Sequence, residues 1–441
     1  MKKNSILIAL ALFSASGTWA GELPKDTLKV IDVEEIVVIA APKENRKLRE
    51  LPTAVTMLSQ QDMQANQVNS IKSLTALVPN IFIPDYGSRL TSAIYIRGIG
   101  SRINTPSVGL YVDNVPYIDK SAFDFNYADI ERIDVLRGPQ GTLYGRNTMG
   151  GLIKVHTKSP FSYQGTDLRL GAGSYNNYNA SVTHYHRVSD QFAFSTGGFY
   201  EYGGGFFKNT YLNKRIDKSQ AAGGRFRGIY LPGENLKLDL NISYEYSHEG
   251  GYPYFYTGRV DPAEREDDPR KERIGKISYN DESTYRRGLL NAGVNIEYQA
   301  QKFILSAVTG FQNLNDRMFL DQDFTEKNLF NLKQKLNTLS EEVMLKSKPG
   351  SNWQWTTGAF GFYQWLNTDG PVIFKEDGVK EVIEGGANKA FANLGPKAPR
   401  MALTVNNPTL RVSGNFDTPI LSGAIYHQST FNNLFTEGLS F

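Results

Sequence analysis

The side chains that most often carry catalysis or bind metals are sparse in this sequence. The chain has no cysteine and only five histidines, so neither a thiolate nucleophile nor a cysteine-ligated metal site can form. His184 and His186 share a strand face, but no third ligand stands at a suggestive spacing, which favours an ordinary pair over a metal site. No Ser/His/Asp set or carboxylate pair is identifiable. We therefore predict a protein that is not an enzyme and needs no cofactor.

Residues 138–151 are rich in glycine and could in principle wrap around a phosphate. No Gly-Lys-Ser/Thr follows them and the Gly-x-Gly-x-x-Gly spacing is missing, which argues against a phosphate or dinucleotide site. The 48 basic residues nearly balance the 45 acidic ones, so no nucleic-acid partner is expected.

The first twenty residues have the three parts of a cleavable signal peptide. Lys2 and Lys3 precede an apolar run at 6–13, and Ala20 closes a small-x-small site. A membrane anchor is the alternative, but this run is far shorter than the ~20 residues that a helix needs to cross a bilayer. The chain is thus expected to be exported, and it could enter a membrane only through β-strands.

Two regions with different secondary-structure patterns follow the signal peptide. Residues 48–160 read as a compact α+β domain, with a strand at 52–58, a helix at 60–65 capped by Ser59, and a second helix at 71–78 that Pro79 ends. Short strands are predicted at 93–97, 109–113, 130–136 and 151–157. From about residue 161 the strands are longer, and residues 236–246 alternate apolar with polar side chains, as a transmembrane barrel strand does.

The connections in this second region alternate between short turns and long polar loops, which is the pattern of outer-membrane barrels. Short turns are predicted at 188–191, 231–235, 299–302 and 348–352, and long loops near 206–222, 251–283, 317–332 and 370–405. We count about ten strands, with an eleventh beginning near Leu439. Because ten strands cannot close around a domain of about a hundred residues, we expect the barrel to be incomplete in this sequence.

Several motifs together resemble the plug of TonB-dependent outer-membrane receptors. They are Leu-Pro-Thr-Ala-Val-Thr at 51–56, Ile-Tyr-Ile-Arg-Gly at 94–98, Tyr-Val-Asp-Asn-Val-Pro at 111–116 and Ile-Glu-Arg-Ile-Asp-Val-Leu-Arg-Gly-Pro-Gln-Gly-Thr-Leu-Tyr-Gly-Arg-Asn at 130–147. The resemblance implies a signal peptide at 1–20, a periplasmic lead at 21–47, a plug at 48–160 and the first half of a 22-stranded antiparallel barrel at 161–441.

The resemblance also assigns roles to individual residues. A TonB box would comprise Glu35, Ile36, Val37, Val38, Ile39 and Ala40, which could add as a strand to the sheet edge of the TonB protein; these residues could instead form the first plug strand. Plug–barrel contacts would be made by Arg97, Glu131 and Arg137. The outward-facing plug loops and a tyrosine-rich barrel loop would bind ligand through Tyr86, Arg89, Arg102, Tyr117, Phe123, Tyr254 and Tyr256.

The function implied is energised uptake across the outer membrane of a Gram-negative cell, with TonB, membrane lipid and a small iron chelate as partners. Aromatic rings and arginines suit a flat, anionic ligand such as a ferric siderophore. Uptake of haem, cobalamin or an oligosaccharide remains an alternative, as does a surface adhesin or phage receptor.

Overall fold

The computed structural model describes residues 53–68, 70–91, 93–101, 105–126, 129–255, 257–258, 269–321, 325–348, 350–394 and 402–432. The predicted signal peptide, periplasmic lead and TonB box lie outside these residues. The described chain consists of a small α+β part at residues 53–160, which we call the plug, and a large antiparallel sheet, which we call the wall.

The plug contains two small sheets and short helices. Its strands are β1 (Ala54–Ser59), β2 (Ile81–Phe82), β3 (Tyr95–Ile96), β4 (Ile99–Gly100), β5 (Val108–Val112), β6 (Val115–Tyr117), β7 (Ile130–Arg137) and β8 (Gly151–Thr157). Its helices are α1 (Gln60–Ala65), α2 (Leu74–Leu77) and α3 (Gly141–Tyr144), with 3₁₀ turns at Ile71–Ser73, Arg89–Thr91 and Lys120–Ala122. One sheet has the order β1-β7-β8-β5-β6, with β5 and β8 parallel, and the other has the order β2-β3-β4.

The start of α1 shows how local sequence sets the plug's geometry. The Ser59 hydroxyl accepts a hydrogen bond from the Asp62 backbone nitrogen at 3.2 Å, and the Asp62 carboxylate accepts one from the Ser59 nitrogen at 2.9 Å. This reciprocal capping box satisfies donors that a helix start would otherwise leave open. The predicted helix at 60–65 is thereby confirmed, whereas the second predicted helix is divided into a 3₁₀ turn and the short α2.

The wall is built mainly from ten long strands. Its strands are β9 (Gly165–Gly173), β10 (Asn177–Arg187), β11 (Phe192–Gly203), β12 (Lys208–Asn209), β13 (Lys214–Arg215), β14 (Ser219–Gly233), β15 (Leu236–Glu249), β16 (Thr284–Gln299), β17 (Phe303–Leu320), β18 (Asn328–Ser347), β19 (Trp353–Asp369), β20 (Val372–Phe374), β21 (Leu410–Val412) and β22 (Asn415–Phe431). The long strands pair in chain order from β9 to β22, while β20 and β21 extend β18 and the hairpin β12–β13 stands apart.

Two kinds of connection separate the wall strands, as expected. Short turns join β10 to β11, β14 to β15, β16 to β17 and β18 to β19. The longer connections lie at the other end, where the three-residue link from β9 to β10 is the exception among the described strands. One expected loop was wrong: β17 and β18 continue through most of residues 317–332 and leave only 321–327 between them. Ser174–Asn176 form the three-residue turn between β9 and β10. The long connections contain a 3₁₀ turn at Pro269–Arg273, a π-helix at Gly378–Glu384 and α4 at Gly385–Ala392.

The two faces of the wall differ because side chains alternate along each strand. On β15, Leu240, Ile242 and Tyr244 are exposed on the outer face, whereas Asp239 and Glu245 are buried on the inner face. The plug lies against that inner face, where Leu289, Leu314 and Leu336 of the wall join its apolar core. Among the described residues, no helix is long and apolar enough to cross a membrane.

Candidate functional site

The inner face of the wall holds the plug through arginines that alternate with outward-facing residues. Arg225 and Arg227 stand two residues apart on β14, so both side chains point to the inner face of the wall. The side chain of Arg287 on β16 also points to the inner face. All three guanidinium groups reach oxygen atoms of the plug. The site is thus the polar interface between plug and wall.

Arg227 links the wall to the turn between β5 and β6 and to the end of β8. It forms a two-pronged ion pair with Asp239 of β15, at 3.0 Å from Nε and 2.8 Å from Nη2. Its Nη1 donates to the Thr157 carbonyl at 3.0 Å and hydroxyl at 2.9 Å, and lies 3.8 Å from the Asp113 carboxylate. An arginine that forms two hydrogen bonds with one carboxylate has a fixed orientation, so this ion pair also aims Nη1 at the plug.

The Asp113 carboxylate carries the charge opposite to that of Arg227 and lies close to it. It accepts hydrogen bonds from the Thr157 nitrogen at 2.9 Å and hydroxyl at 2.7 Å. Burial alone would raise the pKa of Asp113, but Arg227 and the two Thr157 donors outweigh it and hold the pKa below its ordinary value. The group therefore stays ionised at neutral pH, so the interface is held by charge as well as by packing.

A second contact centres on Glu245 of β15. Fully buried Arg287 donates to the Ser121 carbonyl at 2.7 Å, the Asp124 carbonyl at 2.6 Å and the Glu245 carboxylate at 2.6 Å. The Asn126 backbone nitrogen also donates to Glu245, at 3.0 Å. One wall carboxylate thus helps to position the plug segment that follows β6.

Arg89 of the plug completes this cluster. It pairs with Glu245 and with Glu249, at 2.7 Å for the latter, and lies 3.8 Å from Glu201. Burial would lower the pKa of Arg89, but the surrounding carboxylates raise it, so the side chain remains charged. In this conformation Arg89 ties the plug to the wall, and the ligand role predicted for it stays a prediction.

The hairpin β5–β6 approaches the wall at two glycines. A Cβ on Gly293 would lie 2.2 Å from a Val115 methyl, and one on Gly310 would lie 2.9 Å from the other methyl. Asn295 donates to the Asp113 carbonyl at 3.0 Å beside them. A side chain at Gly293 would force the Val115 side chain to shift, and one at Gly310 would crowd both Val115 and the Ser340 hydroxyl, at 2.7 Å for the latter.

The three residues predicted to join plug to barrel lie elsewhere. Arg97 is exposed in the β3–β4 turn, Glu131 is exposed on β7, and Arg137 donates to the Pro79 carbonyl within the plug at 3.2 Å. In the part of the chain that the structure describes, none of the three forms a hydrogen bond or ion pair with a wall strand, so their role stays a prediction. Sequence analysis missed the actual contacts, although two arginines at alternate positions of β14, Arg225 and Arg227, could have indicated a polar inner face.

The predicted ligand residues divide into two groups. Tyr86 and Tyr254 meet near the end of the wall that carries the long connections, where the Tyr254 hydroxyl donates to the Tyr86 carbonyl and its ring is 41% exposed. Tyr117 and Phe123 are instead buried in the plug core, and burial raises the pKa of Tyr117 to about 12. Neither ring is open to a ligand in this conformation, and the ligand role of these two residues stays a prediction. Arg102 and Tyr256 lie outside the described residues.

The plug region of the chain is similar in sequence to known proteins. Residues 47–152 match the model of the TonB-dependent Receptor Plug Domain. The vitamin B12 transporter BtuB of Vibrio vulnificus is 30% identical over 187 residues, which are 40% of this chain and 28% of that protein. The pesticin receptor of Yersinia pestis is 30% identical over 151 residues, which are 34% of this chain and 22% of that protein. The chain thus matches about a quarter of the length of these curated relatives.

Among solved structures, the ferric yersiniabactin uptake receptor FyuA from Yersinia pestis has a similar fold. The TM-score is 0.64 at 15% sequence identity, over 86% of this chain and 62% of that one. At this identity the likeness concerns the fold, a plug set against a large antiparallel sheet that resembles part of a barrel.

Proposed function

Since the chain belongs to the TonB-dependent receptor family, we propose that it serves as an outer-membrane receptor for energised import of a scarce nutrient, with a ferric siderophore as the ligand. In this proposal ligand binds at the end of the wall that carries the long connections. TonB then pairs with residues 35–40 from the periplasm, and its pull displaces the plug.

The observation that carries this proposal is the polar attachment of the plug. Arg225, Arg227 and Arg287 hold plug oxygens by ion pairs and hydrogen bonds. When the plug moves, these polar groups can form hydrogen bonds with water in place of those they lose. Separating a wholly apolar interface would instead expose apolar area to water with no compensating hydrogen bonds. A plug attached in this way is suited to leave the wall and return to it.

The ligand class is supported by the surface near Tyr86. Tyr254 and Phe255 are exposed there, 41% and 56% respectively, and Tyr252 packs edge-on against Tyr254 at 6.2 Å. Aromatic faces of this kind suit the flat rings of many iron chelates. A cobalamin ligand is the second candidate, because one relative is a vitamin B12 transporter.

The test replaces one residue of the predicted TonB box. Val37→Pro removes a backbone donor and should abolish strand pairing, whereas the control Val37→Ile keeps it, because strand addition depends mainly on the main chain. Uptake of radioactive iron is measured in iron-starved cells with ferric catecholate and ferric hydroxamate chelates, beside labelled cyanocobalamin.

The proposal expects uptake of one ferric chelate by the wild type and by Val37→Ile, and background uptake by Val37→Pro. Equal uptake by all three proteins would show that TonB does not act through residues 35–40. Uptake of cyanocobalamin alone would select the second candidate.

A further inference from the structure

A row of basic side chains crosses the outer face of the wall near the end that carries the long connections. Arg286 of β16 stands directly opposite Arg317 of β17, and Arg317 stands directly opposite Lys333 of β18. The two arginines are exposed and Lys333 is half-buried. Side chains that face each other across neighbouring strands lie about 5 Å apart at Cβ, so two like-charged pairs destabilise the sheet unless an anion joins them.

No carboxylate of the described residues neutralises this row. None of the three side chains forms an ion pair or a side-chain hydrogen bond with another residue in the described ranges. The register places a carboxylate next in the row, Asp369 of β19 beside Lys333. That carboxylate is paired with Arg411 at 2.9 Å, so its charge is already balanced and the row stays positive.

The row lies just beyond the aromatic boundary of the apolar outer face. Tyr244 and Tyr246 are exposed at successive outward positions of β15, and exposed tyrosines of this kind mark the membrane–water boundary of a barrel. The register aligns Arg286 with His248, two residues beyond Tyr246. Two residues at ~3.3 Å rise and ~40° tilt correspond to about 5 Å. If the wall spans the membrane as proposed above, the basic row lies at the level of the lipid headgroups.

The outer face differs at its two ends. The matching outward row on the same four strands beside the short turns is uncharged and consists of Leu236, Tyr298, Leu305 and Leu345. The basic row therefore belongs to one end of the wall, the end that carries the long connections. In the proposed orientation that end lies in the outer leaflet, so a lipid of this leaflet is the anion that meets the row.

We propose that Arg286, Arg317 and Lys333 bind the phosphate groups of an anionic lipid of the outer leaflet; the inference rests on the outer-membrane location proposed above. A guanidinium donates two parallel hydrogen bonds to a phosphate, and the Lys333 ammonium acts as a point charge. Three strands at ~4.8 Å spacing make the row about 10 Å long, which suits a headgroup with more than one phosphate. The acyl chains of the lipid would lie along exposed Phe311 and Leu339 on the same strands.

Binding of defined lipids to the purified full chain in mild detergent tests the proposal. The probes are lipid A with two phosphates, the same lipid without phosphates, and inorganic phosphate alone. Lys333→Gln is compared with Lys302→Gln, which removes one exposed ammonium from the short turn between β16 and β17, and Arg317→Gln is then added to Lys333→Gln. Native mass spectrometry measures the bound fraction, and heat-modifiable migration in detergent gels checks folding.

The wild type should bind the phosphorylated lipid and bind the lipid without phosphates far more weakly. Lys333→Gln should weaken binding about fivefold and the double variant about thirtyfold, the order expected for basic residues at a charged membrane surface. Lys302→Gln should stay within about twofold. Because the altered side chains point away from the plug, folding should persist.

Three results would overturn the proposal: no binding by the wild type, equal binding by the wild type and the double variant, or equal binding of the lipid with and without phosphates. Inorganic phosphate that binds the row as tightly as the lipid would also overturn it, because the site would then be one for a free anion. The measurement needs neither TonB nor an imported ligand, so a failed lipid site and a failed transport hypothesis are told apart.

Discussion

Arg287 carries a charge that the fold shields completely from water, surrounded by the oxygens of Ser121, Asp124 and Glu245. Its role depends on this surrounding shell, because a buried charge is favourable only when it is paired. Removing the guanidinium would leave two plug carbonyls without a donor and weaken the pairing of Glu245.

We expect Arg287→Met to lower the stability of the attached plug by about 3 kcal/mol, the order found when one member of a buried ion pair is removed. A fluorophore on Met149→Cys, which is 70% exposed on the plug, reports plug unfolding in urea. Arg286→Met on the outer face is the matched control and should leave the midpoint unchanged. An unshifted midpoint for Arg287→Met would contradict the attachment role.

Tyr254 presents its ring at the proposed ligand surface while its hydroxyl is bonded to the Tyr86 carbonyl. Tyr254→Ala removes the ring and should weaken binding of the transported chelate about tenfold, which corresponds to ~1.4 kcal/mol of aromatic contact. Tyr254→Phe keeps the ring and should stay within about twofold. Equilibrium binding to membranes measures both, and equal losses would assign the effect to the hydroxyl and the loop instead.

At the scale of elements, the hairpin β5–β6 is fitted to the wall by glycines. Gly293→Ala would place a methyl 2.2 Å from a Val115 methyl, and we expect overpacking to cost about 1–3 kcal/mol of plug stability. Val115→Ala in the same chain should recover part of it, because the clashing atom is gone. Gly141→Ala is the neutral control in the same urea assay, because a Cβ at Gly141 would meet no atom within 4 Å. If the stability losses of Gly293→Ala and Val115→Ala simply add in the double variant, the close contact is refuted.

The elements that sequence predicted best are those set by local pattern. The alternation at 236–246 lies within β15, and Ser59 caps α1 as expected. The length of β17 and β18 was underestimated, because polar outward residues near their ends resemble a loop when the partner strand is unknown.

The site itself was less predictable because its contacts join residues far apart in the chain. Arg287 meets Ser121 across 166 positions and Arg227 meets Thr157 across 70. Sequence motifs identified the plug, but not which wall residues hold it. Burial of Phe123 likewise depends on core packing that no local pattern specifies.

At the scale of the whole molecule, the two faces of one sheet have separate tasks. The inner face contacts the plug through charged groups, and the outer face of β15 exposes apolar side chains such as Leu240 and Ile242. Import as proposed above requires the plug to leave the inner face of the wall.

A reversible covalent bond between plug and wall tests whether the plug must move for import. A Cβ on Gly293 would lie 3.3 Å from the Val115 Cβ, close to the ~3.5–4.5 Å that disulfides span. Val115→Cys with Gly293→Cys should therefore cross-link the hairpin to the wall, in a chain that has no other cysteine. Val115→Cys alone is the control, and mass spectrometry verifies the bond.

The measurement is uptake of the transported chelate before and after reduction. The oxidised variant should bind ligand but import none, and reduction should restore import to the level of the single-cysteine control. Import at the control rate with the disulfide intact would contradict displacement of the plug from the wall.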